Sequence, residues 1–163
     1  QVEFEMEDKL ADAGLDVRVS MPEEKVIVPL DSQKTFRIFE NLFGNIAKYA
    51  LPGTRVYVSG FTAKDEVTII LKNITAQELS VSGEELTERF VRGDASRNTE
   101  GSGLGLAIAK SFTEIQGGKF RIELDGDLFK VVLIWKVKPE SGNYDNSGDK
   151  VTTGDKEKQP LQS

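Results

Sequence analysis

At 163 residues, 38% of them hydrophobic, the chain suffices for one sizeable core rather than two. It contains no cysteine and no histidine, which excludes disulfides, thiolate chemistry, imidazole metal ligands, Ser-His pairs and a histidine phosphoacceptor within it. The formal charge of −6 argues against a nucleic-acid-binding surface, and no apolar run reaches the length of a membrane span.

Residues 1–14 read as a short acidic helix stopped at Gly14, with a start that looks cut from something longer. Leu15 to Ser20 alternates as a strand, Met21-Pro22-Glu23-Glu24 is a turn, and Lys25 to Leu30 reads as a second strand. Asp31 is a good N-cap for a helix over about residues 32–50, which Leu51-Pro52-Gly53 ends. At about 100° per residue, Phe36, Phe39, Phe43, Ile46 and Ala50 fall on one line of this helix and are expected inside. Asn41, Asn45, Lys48 and Tyr49 gather on the other side, but Ile38 and Leu42 sit there too. A helix apolar around most of its circumference is largely buried, so the two asparagines are expected in a lined cavity. Two amides one turn apart, with a lysine a further turn along, suit a metal ion and phosphate oxygens. Surface asparagines, or core asparagines with protein partners, would give the same pattern.

Arg55 to Phe61 and Glu66 to Asn73 read as antiparallel strands joined by a turn at residues 62–65. One or two helical turns are expected over 84–90, followed by a long polar loop over 91–103; a loop of that length within a domain is usually functional or disordered. A helix from about Gly103 to Gln116 follows, with Leu104, Ala107, Ile108, Phe112 and Ile115 expected inside and Gly117-Gly118 as its stop. Lys119 to Leu124 and Leu128 to Val137 form a last hairpin across Asp125-Gly126-Asp127. Residues 138–163 are polar, lack apolar periodicity and read as a disordered tail. The order of elements implies an α+β sandwich: one mixed sheet with helices on one face.

Gly101-Ser102-Gly103-Leu104-Gly105-Leu106 fails as a dinucleotide fingerprint, because Leu106 stands where a third glycine is required. Lys110-Ser111 fails as a P-loop end, because Ala109 replaces the glycine before the lysine. What remains is three alternating glycines opening a helix. Backbone N–H groups there can approach a ligand closely, and a helix N-terminus favours anions. A flexible glycine hinge with no ligand is the plainer alternative.

Taken together, Asn41-Leu42-Phe43-Gly44-Asn45-Ile46-Ala47-Lys48-Tyr49, Phe90-Val91-Arg92-Gly93-Asp94 and Gly101 to Lys110 are similar to the N, F and G2 boxes of the catalytic ATP-binding domain of bacterial sensor histidine kinases. The resemblance covers about residues 15–137. It implies the two-layer α/β sandwich, mostly antiparallel, that these kinases share with type II topoisomerases, Hsp90 chaperones and MutL repair proteins, with ATP and Mg²⁺ as ligands. By position, Asn45 resembles the magnesium ligand, Asn41 a contact to the phosphates or the metal's water shell, Lys48 a phosphate contact, and Tyr49 a neighbour of the nucleotide. Arg92 and Arg97 resemble basic lid residues that reach the γ-phosphate. Gly101, Gly103, Leu104, Gly105 and Leu106 resemble the hinge and base of a lid, which is expected to be poorly ordered without nucleotide.

One box departs from the pattern. Where the family carries Asp-x-Gly-x-Gly, whose aspartate accepts a hydrogen bond from the adenine amino group, this chain has Asn73-Ile74-Thr75-Ala76-Gln77. Asn73 keeps a carbonyl acceptor, while the missing glycines at 75 and 77 imply a stiffer or differently shaped turn. Relatives that hydrolyse ATP place a glutamate at the position of Asn41, whereas Glu40 points about 100° away, so little hydrolysis is expected. The resemblance also implies that residues 1–14 end a linker from a dimerisation domain carrying the phosphoacceptor histidine. The wider expectation is a response regulator downstream, a monomeric fragment, and a full-length homodimer anchored in the bacterial membrane with this domain in the cytoplasm.

Overall fold

The computed structural model describes residues 2–78, 85 and 105–137. The expectations for 84–90 (Glu85 apart), for the loop 91–103 and its order, and for the tail 138–163 lie outside the described residues. Helix α1 (Val2–Asp12) ends where Gly14 turns to φ +74, with Gly14 N–H donating to Ala11 and Leu15 N–H to Leu10. Its Met6 and Leu10 are buried in the core. Strand β1 (Asp16–Ser20) follows immediately.

The strand expected over 25–30 does not form. Val26, Val28 and Leu30 do pack against the core, so the alternation reports one-sided burial. Ladder pairing is absent because Pro29 has no N–H and Leu30 N–H turns back to Val28 O at 2.9 Å.

Helix α2 (Ser32–Tyr49) starts as expected, with Asp31 Oδ1 accepting from Lys34 N–H at 2.8 Å. Its deepest residues are Ile38, Leu42 and Ile46, with Phe43 beside them, while Phe36 and Phe39 are only half-buried. The buried stripe is therefore rotated toward the asparagine side relative to the expected phenylalanine line. The helix packs into the core along Ile38, Leu42, Phe43 and Ile46 and leaves the rings of Phe36 and Phe39 half-buried.

Strands β2 (Arg55–Ala63) and β3 (Glu66–Ile74) form a hairpin whose two-residue turn uses Lys64 at φ +57. Helix α3 (Gly105–Ile115) leads through Gly117 (φ +76) into β4 (Lys119–Asp125) and β5 (Leu128–Lys136), joined across Gly126-Asp127. The buried residues of α3 are Leu106, Ala109 and Thr113; of the expected inner set Phe112 packs against the core, Ala107 and Ile108 are only half-buried, and Ile115 is 65% exposed. Thr113 is fully buried because its hydroxyl donates to Ala109 O at 2.7 Å, leaving no polar group unsatisfied.

The sheet order is β1-β2-β3-β5-β4, with β1 parallel to β2 and every other pair antiparallel. Val56, Val58, Val67, Leu71, Phe120, Ile122, Phe129, Val131, Leu133 and Trp135 face the helices and build one core with them. The opposite face carries the ion pairs Arg121–Glu123 and Lys130–Glu123. The α+β sandwich expected from the sequence is the observed fold.

Candidate functional site

The end of β3 and the end of α2 are tied together. Ala50 bridges Thr75, Leu51 N–H donates to Ile74 O at 2.8 Å, and Ala76 N–H donates to Tyr49 O at 2.9 Å. These bonds bring the asparagine-bearing helix beside Asn73 and the segment after it. At its other end, α2 is fixed to α3: Asp31 N–H donates to Gln116 Oε1 at 2.7 Å, and Gln116 Nε2 donates to Phe112 O at 3.1 Å. Nothing in the sequence pattern signals a contact between positions so far apart.

Asn41 Nδ2 donates to Arg37 O at 2.8 Å, one turn back along α2. That bond orients the amide, and its oxygen faces the first residue of α3: a Cβ built on Gly105 would stand 3.3 Å from Asn41 Oδ1. Helix α3 thus starts, at Gly105, directly against the asparagine stripe. Asn41 and Asn45 are half-buried and Lys48 and Tyr49 are exposed, so among the described residues the stripe is not enclosed. Lys48 Nζ sits 5.1 Å from the centroid of the Tyr49 ring. Leu106, next to Gly105, is buried in the core and anchors the start of α3. Arg92, Arg97, Gly101, Gly103 and Leu104 lie outside the described residues.

Asn73 lies on the helix-facing side of β3, opposite Phe129 in β5, and is 3% exposed. Its Oδ1 is buried without a hydrogen-bond partner among the described residues. An unsatisfied buried acceptor costs about 1–3 kcal/mol, so its persistence beside the end of the asparagine-bearing helix points to a ligand donor. Two residues on, Thr75 takes the place of a turn glycine. Its N–H donates to Asp127 O at 2.8 Å, and its hydroxyl lies 2.6 Å from Gln77 O and 3.1 Å from Asp127 O. Neither Thr75 nor Gln77 adopts a positive φ, so the missing glycines impose no strain and the turn is pinned to the β4–β5 hairpin instead. This side-chain clamp was missed in the sequence, where a threonine after a strand carries no distinguishing signal.

The donor set among the described residues is therefore two half-buried amides, a buried amide oxygen without a partner, an exposed ammonium and the first turn of α3. Among the described residues there is no cluster of three His, Cys, Asp or Glu side chains for a metal. An amide oxygen at Asn45 fits magnesium, which binds few protein ligands and completes its shell with water and phosphate oxygens.

The model of the histidine kinase-, DNA gyrase B-, and HSP90-like ATPase family matches residues 30–152. The chain belongs to this ATPase family. The probable sensor protein PcoS of Escherichia coli is 36% identical over 112 residues, which are 66% of this chain and 24% of that protein. The chain thus spans about a quarter of the length of the curated relatives it matches. Among solved structures, the nucleotide-free catalytic domain of histidine kinase ThkA superposes with a TM-score of 0.71 at 20% identity, over 83% of this chain and 87% of that one. Full-length ShkA in complex with AMPPNP superposes with a TM-score of 0.68 at 18% identity, over 84% of this chain and 28% of that one. These likenesses give the fold, a two-layer α/β sandwich.

Proposed function

We propose that this chain is the ATP-binding catalytic domain of a sensor histidine kinase, holding Mg-ATP so that its γ-phosphoryl group is presented to a histidine on another domain. The observation that carries this reading is the abutment of Asn41 Oδ1 on Gly105, which sets an amide stripe against the N-terminus of a helix with no Cβ between. A helix start concentrates unpaired N–H donors and positive dipole, and so favours phosphate oxygens. Asn45 offers an amide oxygen to magnesium, and Lys48 supplies an exposed positive charge one turn further on. Because Asn41 Nδ2 is committed to Arg37 O, its free oxygen is suited to accept from water on the metal rather than to touch a phosphate. Bound magnesium supplies charge neutralisation at the phosphates.

The chain's own residues favour transfer over hydrolysis. Asn41 cannot take a proton from water, and the neighbouring Glu40 carboxylate is turned to Arg37 Nη1 at 2.9 Å. Catalysis in this reading is positioning for a nucleophile that arrives from outside, since the chain contains no histidine. The full-length protein is then a membrane-anchored homodimer acting on a response regulator, its histidine on a dimerisation domain that reaches this domain through residues 1–14. Met6 and Leu10, buried in the core, would fix that junction.

The chain mixed with Mg-ATP is expected to gain thermal stability and to remain unlabelled by γ-labelled ATP. It should label a histidine on the separately supplied dimerisation domain of its full-length kinase. Labelling of the chain itself, or binding without any transfer to that histidine, overturns the proposal.

A further inference from the structure

The orphaned oxygen of Asn73 belongs to an amide, and an amide differs from a carboxylate in what it can recognise. An ionised carboxylate only accepts hydrogen bonds, whereas an amide presents an acceptor on one side and a donor on the other. Rotation about χ2 exchanges the two at little cost, because this terminal torsion is broad and roughly two-fold. A 6-aminopurine offers a donor at its 6-amino group and an acceptor at N1; a 6-oxopurine offers the reverse pair. Asn73 can match both, in its two orientations. Its position suits an arbiter of the base: it is 3% exposed, on the helix-facing side of β3, and its oxygen has no partner. Thr75, bonded to Asp127 O, holds the backbone that follows.

We infer that Asn73 makes this site permissive at the purine 6-position, so that it binds 6-oxopurine nucleoside triphosphates as well as ATP. The inference rests on the ATP-binding reading above and adds the substrate class. In the 6-oxo complex, Nδ2 donates to O6 and Oδ1 accepts from N1–H. A carboxylate at the same place would face O6 with a second acceptor and exclude it.

The test uses inosine triphosphate, which differs from ATP at this edge of the base without adding the 2-amino group of guanine. Dissociation constants for the magnesium complexes of the two nucleotides, measured by calorimetry and checked by thermal shift, are expected to agree within about tenfold for the natural chain. In Asn73→Asp, studied at mildly alkaline pH where a carboxylate is ionised, the affinity for inosine triphosphate relative to ATP is expected to fall by about a hundredfold or more. A natural chain that binds ATP more than about a hundredfold more tightly overturns this inference alone and leaves the ATP-binding reading standing. An unchanged ratio in a folded Asn73→Asp protein also overturns it. Failure of both nucleotides to bind overturns the inference together with the reading beneath it. Should Asn73→Asp not fold, the ratio in the natural chain still decides.

Discussion

Gly105 meets Asn41 so closely that a Cβ there would sit 3.3 Å from Asn41 Oδ1 and 3.7 Å from its Cβ. The first residue of α3 and the amide stripe of α2 are thereby one surface. Gly105→Ala should push the Asn41 amide by a few tenths of an ångström and break its bond to Arg37 O, or tilt the start of α3. Affinity for Mg-ATP is expected to fall by about tenfold, or about 1.4 kcal/mol. Stability should change little, because alanine is the better helix former by up to about 1 kcal/mol. Calorimetry and thermal melting separate the two: intact affinity with a lowered melting temperature would assign the contact to packing alone.

Asn45→Ala removes the amide oxygen assigned to magnesium. Asn45 is half-buried, with the sheet-facing positions of α2 taken by Ile38, Leu42 and Ile46, so the fold has no need of it. The expected result is loss of magnesium-dependent nucleotide binding with an unchanged circular dichroism spectrum. Titrations with and without magnesium check this; equal affinities for the variant and the natural chain would place the metal on another ligand.

The stripe bearing this asparagine was legible from sequence because helix limits are written locally. Asp31, Pro52 and Gly53 mark the ends of α2, and spacing alone puts Asn41, Asn45 and Lys48 on one side. Hairpin positions were legible for the same reason, through alternation broken within residues 62–65 and at Asp125-Gly126-Asp127, although each turn proved tighter than expected, at Lys64-Asp65 and Gly126-Asp127. Phase was harder. In α3, apolar residues fall nearly all round, and the true inner face contains Thr113, whose hydroxyl is hidden by a bond to Ala109 O. A polar residue satisfied within its own helix looks like solvent-facing sequence. Extended chain without pairing, as at residues 25–30, also reads as a strand, since alternation records burial and not hydrogen bonds. The Asp31–Gln116 bond and the Thr75 clamp join residues remote in sequence, where no local period reports them. Asn73 lay between these cases: its acceptor was readable from residue type, its isolation only from the packed structure.

The N-cap of α2 offers a direct measure of how firmly the stripe is held. Asp31→Ala removes the acceptor for Lys34 N–H but leaves the backbone donation from residue 31 to Gln116 intact. The expected destabilisation is about 1 kcal/mol, and Asp31→Asn should restore most of it, since asparagine caps comparably. Urea unfolding of both variants provides the comparison. Equal losses in the two would mean that the carboxylate charge, rather than the cap, stabilises the helix start.

Gly118 gives the sharpest steric expectation. A Cβ at this position would overlap Trp135 Nε1 and lie 2.7 Å from Trp135 Cδ1 and 2.9 Å from Thr113 Cγ2. Trp135 is buried in β5 and Thr113 in α3, so neither can swing out into solvent. Gly118→Ala must therefore separate α3 from the sheet or force the indole off its rotamer, at about 1–3 kcal/mol or more. The adjacent Gly117 is a control of another kind. A Cβ there meets nothing within 4 Å, but its φ of +76 is unfavourable for alanine, so Gly117→Ala should cost about 1 kcal/mol through backbone strain alone. The two are distinguished by Trp135, the chain's single tryptophan, whose fluorescence reports its surroundings directly. Gly118→Ala is expected to shift the emission of the folded protein as well as lower its unfolding midpoint. Gly117→Ala should lower the midpoint and leave the emission in place. An unshifted spectrum in Gly118→Ala would show that the backbone after α3 yields before the indole does.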